Sequence, residues 1–291
     1  MEFNIISPKT KSELLAAIRR EKHFRFGAGC TDLLMELRKK PNENLTIINL
    51  SKVIDAQFTG IKKSAKGLRL GALFTAHNIV VNEEIQTGFS ALHNAALSLA
   101  SNQIRQVATI GGNLCTASPS GDISCALTAL EAECEILSAA GKIRTVPITS
   151  FFTGVRQTAL KKNEVLYGIA VSANKKNAKN IFSNFIKVGT RRSMECSVVS
   201  LAYHIQTDEN GKIIKAGAAL GASAPTVRFA KTACEFLIGK NFNTISQKDK
   251  EDFAAKVLSY ASPITDIRAT AWYRKEVLFN ISKSIFENPC K

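Results

Sequence analysis

The stretch from Gln103 to Asp122 constrains this chain most, because glycines and small hydroxyl residues crowd it while Arg105 and Asp122 are its charged side chains. It reads as a cradle for a bound cofactor. The turn Thr109-Ile110-Gly111-Gly112-Asn113 places two glycines where a backbone can pass without a side chain colliding, so their N–H groups can face phosphate oxygens. Thr109, Asn113, Thr116 and Ser118 add neutral hydrogen-bonding groups, and Asp122 adds an acceptor suited to a sugar hydroxyl. Taken alone, Gly111-Gly112-Asn113 or Ser118-Pro119-Ser120-Gly121 reads better as an ordinary surface loop of turn formers.

A second glycine element lies upstream. His23 to Phe26 form a short alternating run before Gly27-Ala28-Gly29-Cys30, and a helix is expected to open at Thr31 or Asp32 and continue through Leu33. Strand, tight turn and helix N-terminus together favour a pyrophosphate through unpaired N–H groups and the helix dipole. The Asp32 carboxylate would repel phosphate, so that residue is expected to act through its backbone or as a cap. Neither element matches the common dinucleotide or P-loop fingerprints. Two phosphate-type elements about eighty residues apart imply a ligand held between subdomains.

In these stretches the chain resembles the FAD-binding subunits of molybdenum hydroxylases, the family of xanthine, nicotinate and carbon monoxide dehydrogenases, whose flavin domain is of the PCMH type. The resemblance extends to Phe151–Thr158, Glu164–Leu166, Phe185–Arg192 and Ser262–Arg274, in that order. It implies that Phe26 to Leu33 wrap the FAD pyrophosphate, that Thr109 to Asn113 clamp phosphate and ribityl, and that Thr116 and Asp122 bind the hydroxylated middle of the cofactor. Leu99 and Leu166 then pack against the flavin. Lys187 stands near its ring, where a cation favours the electron-rich form and raises the potential. Cys30 departs from a position that is often glycine; a positive φ there would cost roughly 1 kcal/mol.

The resemblance further implies an electron-transfer role, without a catalytic nucleophile or acid–base pair in this chain. A molybdopterin-binding large subunit and a [2Fe–2S] small subunit would be its partners in a hetero-oligomer, and NAD or another carrier would accept the electrons. A stand-alone reductase of the UDP-N-acetylenolpyruvoylglucosamine reductase type is the alternative, against which the Ser262–Arg274 match speaks.

Composition agrees. The 291 residues, 45% hydrophobic, are enough for a substantial core, and there is no apolar run long enough to span a membrane and no leader-like N-terminus. Seven cysteines without a regular framework suggest free thiols in a cytoplasmic, reducing setting. Cys115, Cys125 and Cys134 lack metal-ligand spacing and are expected to be buried thiols, and His23, His77, His93 and His204 show no ligand pattern either. No metal is expected. The net charge of +15 is scattered in short clusters such as Arg19-Arg20 and Arg191-Arg192, which argues against nucleic acid and allows docking to acidic partners.

Periodicity predicts an α+β chain of two lobes, residues 1–54 and 55–175, then a smaller α+β domain over 180–291 with a three-stranded antiparallel sheet plus helices, and the resemblance implies that the two lobes are the PCMH-type FAD-binding domain. The polar run Ser172–Asn180 is the expected linker. A hairpin is expected over Phe58–Leu73, helices over 76–82 and 89–100, a loop up to Asp122, and helices over 228–239, 248–261 and 268–280.

Overall fold

The computed structural model describes residues 4–39, 44–191 and 194–287; Arg192 and Cys290 lie outside them. Asn4–Ile6 (β1), Lys11–Arg20 (α1), Phe24–Gly27 (β2), Leu33–Lys39 (α2) and Thr46–Asn49 (β3) form the first lobe, a parallel sheet in the order β1-β3-β2. Thr10 caps α1 by accepting from Glu13 N, and Leu14, Ala17 and Ile18 bury its inner face.

The second lobe contains Ala56–Thr59 (α3), Ile61–Ser64 (β4), Gly67–Gly71 (β5), Ala76–Val81 (α4), Glu83–Gly88 (α5), Ser90–Leu97 (α6), Asn102–Val107 (α7), Ile110–Thr116 (α8) and Asp122–Ala129 (α9). It continues with Glu133–Ser138 (β6), Ile143–Pro147 (β7), Ile148–Phe151 (α10), Phe152–Gly154 (β8), Gln157–Thr158 (β9) and Glu164–Ser172 (β10). Strands β4-β5-β10-β6-β7 make an antiparallel sheet of five. Phe58, expected in a hairpin strand, instead sits buried in α3, because Asp55 accepts from Gln57 N and starts a helical turn.

The expected loop up to Asp122 is largely helical. Ser101 caps α7 and Thr109 caps α8, while Ile110 and Leu114, four apart, are both fully buried; capping and packing outweigh the low helix propensity of Gly111-Gly112.

Asn180–Val188 (β11), Val199–Thr207 (β12), Ile213–Gly221 (β13) and Arg228–Phe229 (β14) form the last sheet, followed by Lys231–Leu237 (α11), Gln247–Leu258 (α12) and Ala271–Ser284 (α13). The sheet has four strands where three were expected: Arg228 and Phe229, assigned to the start of a helix, pair with Leu220 and Ala219. A two-residue strand is too short to carry a periodic signal.

Every residue of β12 is buried, because both faces of this sheet are covered. Leu201, Tyr203 and Ile205 pack with residues of α11–α13, whereas Ala202 joins the core of the second lobe. Helix α9, buried at all eight positions, lies against α6 and strands β12 and β13. A Cβ on Gly217 would stand 2.0 Å from Ala129 O, so glycine lets β13 approach the end of that helix.

His204 and Gln206, on the face of β12 that Ala202 shares, turn toward the second lobe. His204 Nδ1 lies 3.0 Å from Ser183 Oγ and Nε2 lies 3.0 Å from Asn174 Oδ1, which also accepts from Gln206 Nε2. Burial pushes the His204 imidazole down from 6.5 to about 4, and Lys215 acts in the same direction. Above pH 6.5 the ring is neutral folded and unfolded, so it costs nothing. Below that, the unfolded chain takes a proton the folded chain refuses; stability falls with pH and levels off near pH 4, after a loss of roughly 3 kcal/mol. His204→Gln, which cannot titrate, is expected to remove most of this acid loss when urea midpoints at pH 7 and about pH 4.5 are compared. An unchanged acid loss would assign it to other groups.

Candidate functional site

The two glycine elements meet backbone to backbone. Strand β2 delivers Gly27, where a Cβ would fall 2.8 Å from Cys30 Sγ and 3.0 Å from Ile47 Cγ2; at Gly29 a Cβ would fall 1.9 Å from Val107 O. Between Val107 and Ile110 the chain then turns into α8. Cys30 does adopt φ 57°, the left-handed conformation, at the cost argued from sequence. Among the described residues, no hydrogen bond within the chain engages the N–H groups of Ala28 to Asp32, while Leu34 N already donates to Cys30 O at 3.1 Å. The Asp32 carboxylate turns away to an ion pair with Arg156.

The second element is arranged differently from expectation. Ile110 N donates to Phe74 O, Gly111 N to Ala72 O, Gly112 N to the Thr109 hydroxyl and Asn113 N to Thr109 O, at 2.8–3.0 Å, so the Gly111 and Gly112 N–H groups are already engaged. The two glycines also serve different ends. A Cβ on Gly111 would strike Ala72 O at 2.6 Å, whereas on Gly112 it would meet Thr109 Oγ1 at 3.0 Å and nothing else within 4 Å. Gly111 permits packing; Gly112 keeps a surface open.

Gly112, Cys115 and Thr116 share that open face of α8 by their i, i+3, i+4 spacing. Cys125 and Cys134 are buried as expected, but Cys115 is exposed. Its thiol is nevertheless pushed up to about 12 by desolvation. The i+3 relation to Gly112 was the sequence signal for it. Asn113 Oδ1 accepts from Ser124 N and Oγ, tying α8 to α9.

The other end of the site is a buried ion pair across the domain junction. Lys187 Nζ on β11 donates to Asp122 Oδ2 at 2.6 Å and to Ser98 O at 3.2 Å; Ser197 Oγ donates to Asp122 Oδ1 at 2.7 Å. Burial pushes the Asp122 carboxyl above its usual range, opposed by Lys187 and Ser197. With its side chain 3% exposed, Asp122 has both oxygens engaged within the chain. Leu99, next to Ser98, is half-buried, and its carbonyl accepts from Arg105. Leu166 lies in the core at 2% exposure, beside a bulge in β10. Phe26 is half-buried with its ring edge-on to Phe24, and Leu33 packs into a small cluster under α2.

Sequence reasoning also passed over Arg156 and Ser197. Arg156, at φ 59°, pairs with Asp32 and donates its own N–H to Ala117 O, so it joins the first element to the end of α8.

Residues 1–172 match the FAD-binding domain in molybdopterin dehydrogenase, and residues 184–288 match the CO dehydrogenase flavoprotein C-terminal domain. The chain belongs to the molybdopterin dehydrogenase FAD-binding family. It is 28% identical over 286 residues to the glyceraldehyde dehydrogenase medium chain of Sulfolobus acidocaldarius, covering 98% of each. The nicotinate dehydrogenase FAD-subunit of Eubacterium barkeri is 26% identical over 290 residues, 98% of this chain and 95% of the relative. The fold is that of a chain of the carbon monoxide dehydrogenase from Oligotropha carboxidovorans, with a TM-score of 0.90 over 99% of this chain and 98% of the other at 20% identity. This flavoprotein is thus an FAD-binding oxidoreductase subunit of α+β architecture, and the N–H groups of Ala28 to Asp32, unengaged among the described residues, fit a phosphate-bearing cofactor.

Proposed function

We propose that the chain relays electrons through FAD, between iron–sulfur clusters of a partner subunit and an acceptor such as NAD, within a cytoplasmic complex whose molybdopterin-binding subunit oxidises the substrate. The observation that carries this reading is the backbone contact of Gly29 with Val107, which brings the two glycine elements together. The flavin supplies two-electron acceptance and one-electron exchange when bound. The chain's own residues hold and tune it.

In this reading Gly27 to Asp32 offer backbone N–H groups to the pyrophosphate, with Phe26 and Leu33 fixing the ends of the turn. Thr109, Ile110 and Gly111 hold α8 in place so that Gly112, Asn113 and Thr116 line the cofactor's path. Asp122 acts by fixing Lys187 rather than by taking a sugar hydroxyl, since both its oxygens are engaged. Lys187, half-neutralised by that carboxylate, sets the electrostatic field at the ring, with Leu99 as an apolar neighbour. Leu166 supports the site from the core. The stand-alone reductase reading finds no comparable support, because residues 184–288 follow the flavoprotein C-terminal pattern.

The test is a flavin titration. Gly112→Leu fills the open face of α8 with a side chain that meets little protein, so it is expected to abolish stoichiometric FAD retention without lowering the melting temperature of the flavin-free chain. Full flavin occupancy in that variant would remove α8 from the cofactor path.

A further inference from the structure

A carboxylate is out of place in a turn that offers its N–H groups to phosphate, and Asp32 stands in such a turn. Among the described residues its side chain caps no helix and pairs with Arg156. Arg156 occupies the tip of the β8–β9 hairpin, where Gly154 pairs with Gln157. Its φ of 59° is one that glycine or asparagine adopts more cheaply, and strain of this kind gathers where a side chain has work to do.

The hairpin is fixed at its root and at its tip. Phe151 at the root is fully buried with its ring edge-on to Phe152, and its carbonyl accepts from Ala159 N at 2.9 Å. At the tip Arg156 N donates to Ala117 O at 3.1 Å, where α8 ends in a left-handed residue. The backbone of Arg156 is therefore tied to the helix of the second glycine element while its guanidinium reaches the turn of the first.

The guanidinium is only partly used. Nη1 engages Asp32, and among the described residues no acceptor takes up Nε or Nη2, the edge whose two parallel N–H groups match two oxygens of one phosphate. The side chain is 53% exposed, beside the unengaged N–H groups of Ala28 to Asp32. Backbone and side-chain donors thus stand together without an acceptor. A bare Asp32 would repel a diphosphate, whereas Asp32 joined to Arg156 presents no net charge and holds a donor fork in place.

We infer that Arg156 binds the cofactor's diphosphate directly, with Asp32 as the residue that positions it; the inference rests on the FAD reading proposed above. The rival reading makes the pair a strap that merely ties the turn to α8. The two part company when both charges are removed. Arg156→Gln strands a carboxylate against the diphosphate, so adding Asp32→Asn restores affinity if the anion lies there and restores nothing if a strap was cut.

The flavin-free full-length chain is to be titrated with FAD, and with ADP in competition, at low and high salt, as wild type, Arg156→Gln, Asp32→Asn and the double variant. Arg156→Gln is expected to weaken FAD and ADP by about tenfold or more at low salt, with the gap narrowing as salt rises. The double variant recovers about threefold or more of that loss, and every melting temperature stays near wild type because an exposed pair contributes little to stability. Equal FAD losses in all three variants, or a loss of FAD with ADP unaffected, overturn the inference in favour of the strap. Unchanged FAD and ADP affinity in Arg156→Gln overturns it and leaves the flavin reading standing. A wild-type chain that takes up no FAD sinks the flavin reading itself.

Discussion

Alanine at position 29 is expected to strip the chain of FAD and to lower its melting temperature together. A Cβ there would lie 1.9 Å from Val107 O, 2.6 Å from Val107 C and 3.1 Å from Ala108 N. All three are main-chain atoms, so no side chain can swing aside, and the two elements must separate until the contact approaches an ordinary van der Waals distance. Overpacking of this kind costs roughly 1–3 kcal/mol of stability, and the displaced turn weakens FAD by at least about tenfold, or roughly 1.4 kcal/mol. Fluorescence titration with FAD and a melt of the flavin-free protein report the two losses separately. Gly112→Leu, by contrast, is to lose flavin alone. If Gly29→Ala kept FAD and melted like wild type, the two elements would not touch as described.

Lys187→Met is expected to produce the largest loss of stability of any single substitution at the site. It leaves Asp122 in a place where 3% of its side chain is exposed, with Ser197 as its remaining side-chain partner. Breaking a buried pair on one side costs roughly 3–5 kcal/mol, because the other charge stays unsatisfied. The sign of the pH dependence follows. Asp122 already has a folded pKa above its unfolded value, and removing the cation raises it further. The penalty is therefore full above the folded pKa and fades as pH falls toward the unfolded value, so the variant's deficit against wild type shrinks in acid.

Pairing Lys187→Met with Asp122→Asn should recover more than half of the lost stability. If the pair also tunes the flavin, Lys187→Met lowers the FAD potential and Asp122→Asn raises it. A purely structural bridge would leave the potential of both variants at the wild-type value.

The parts of the site that were legible in the sequence are those whose meaning is local. Gly27, Gly29 and the odd Cys30 announce a turn that only a few conformations allow, and Cys30 does adopt the left-handed one. Helix α8 was illegible because its two glycines read as loop; its cap at Thr109 and the buried pair Ile110 and Leu114 were the contrary evidence. The Asp122–Lys187–Ser197 cluster spans 65 and 75 residues of sequence, and no spacing rule reaches that far. Resemblance placed Lys187 near the ring, but the partner that buries it came from the fold. Arg156 was hidden for the same reason, its carboxylate lying 124 residues upstream. The C-terminal sheet was visible through alternation in β11 to β13, whereas β14 was lost to the helix that follows it.

Helix α9 has no solvent face to call its own, since one side completes the flavin lobe and the other is roofed by β12 and β13. The two family modules that meet there are therefore not beads on a string. A chimera that exchanged the C-terminal half for that of a distant relative would inherit a helix cut to another sheet's contours, and would have to mutate both sides of the seam before either half was whole.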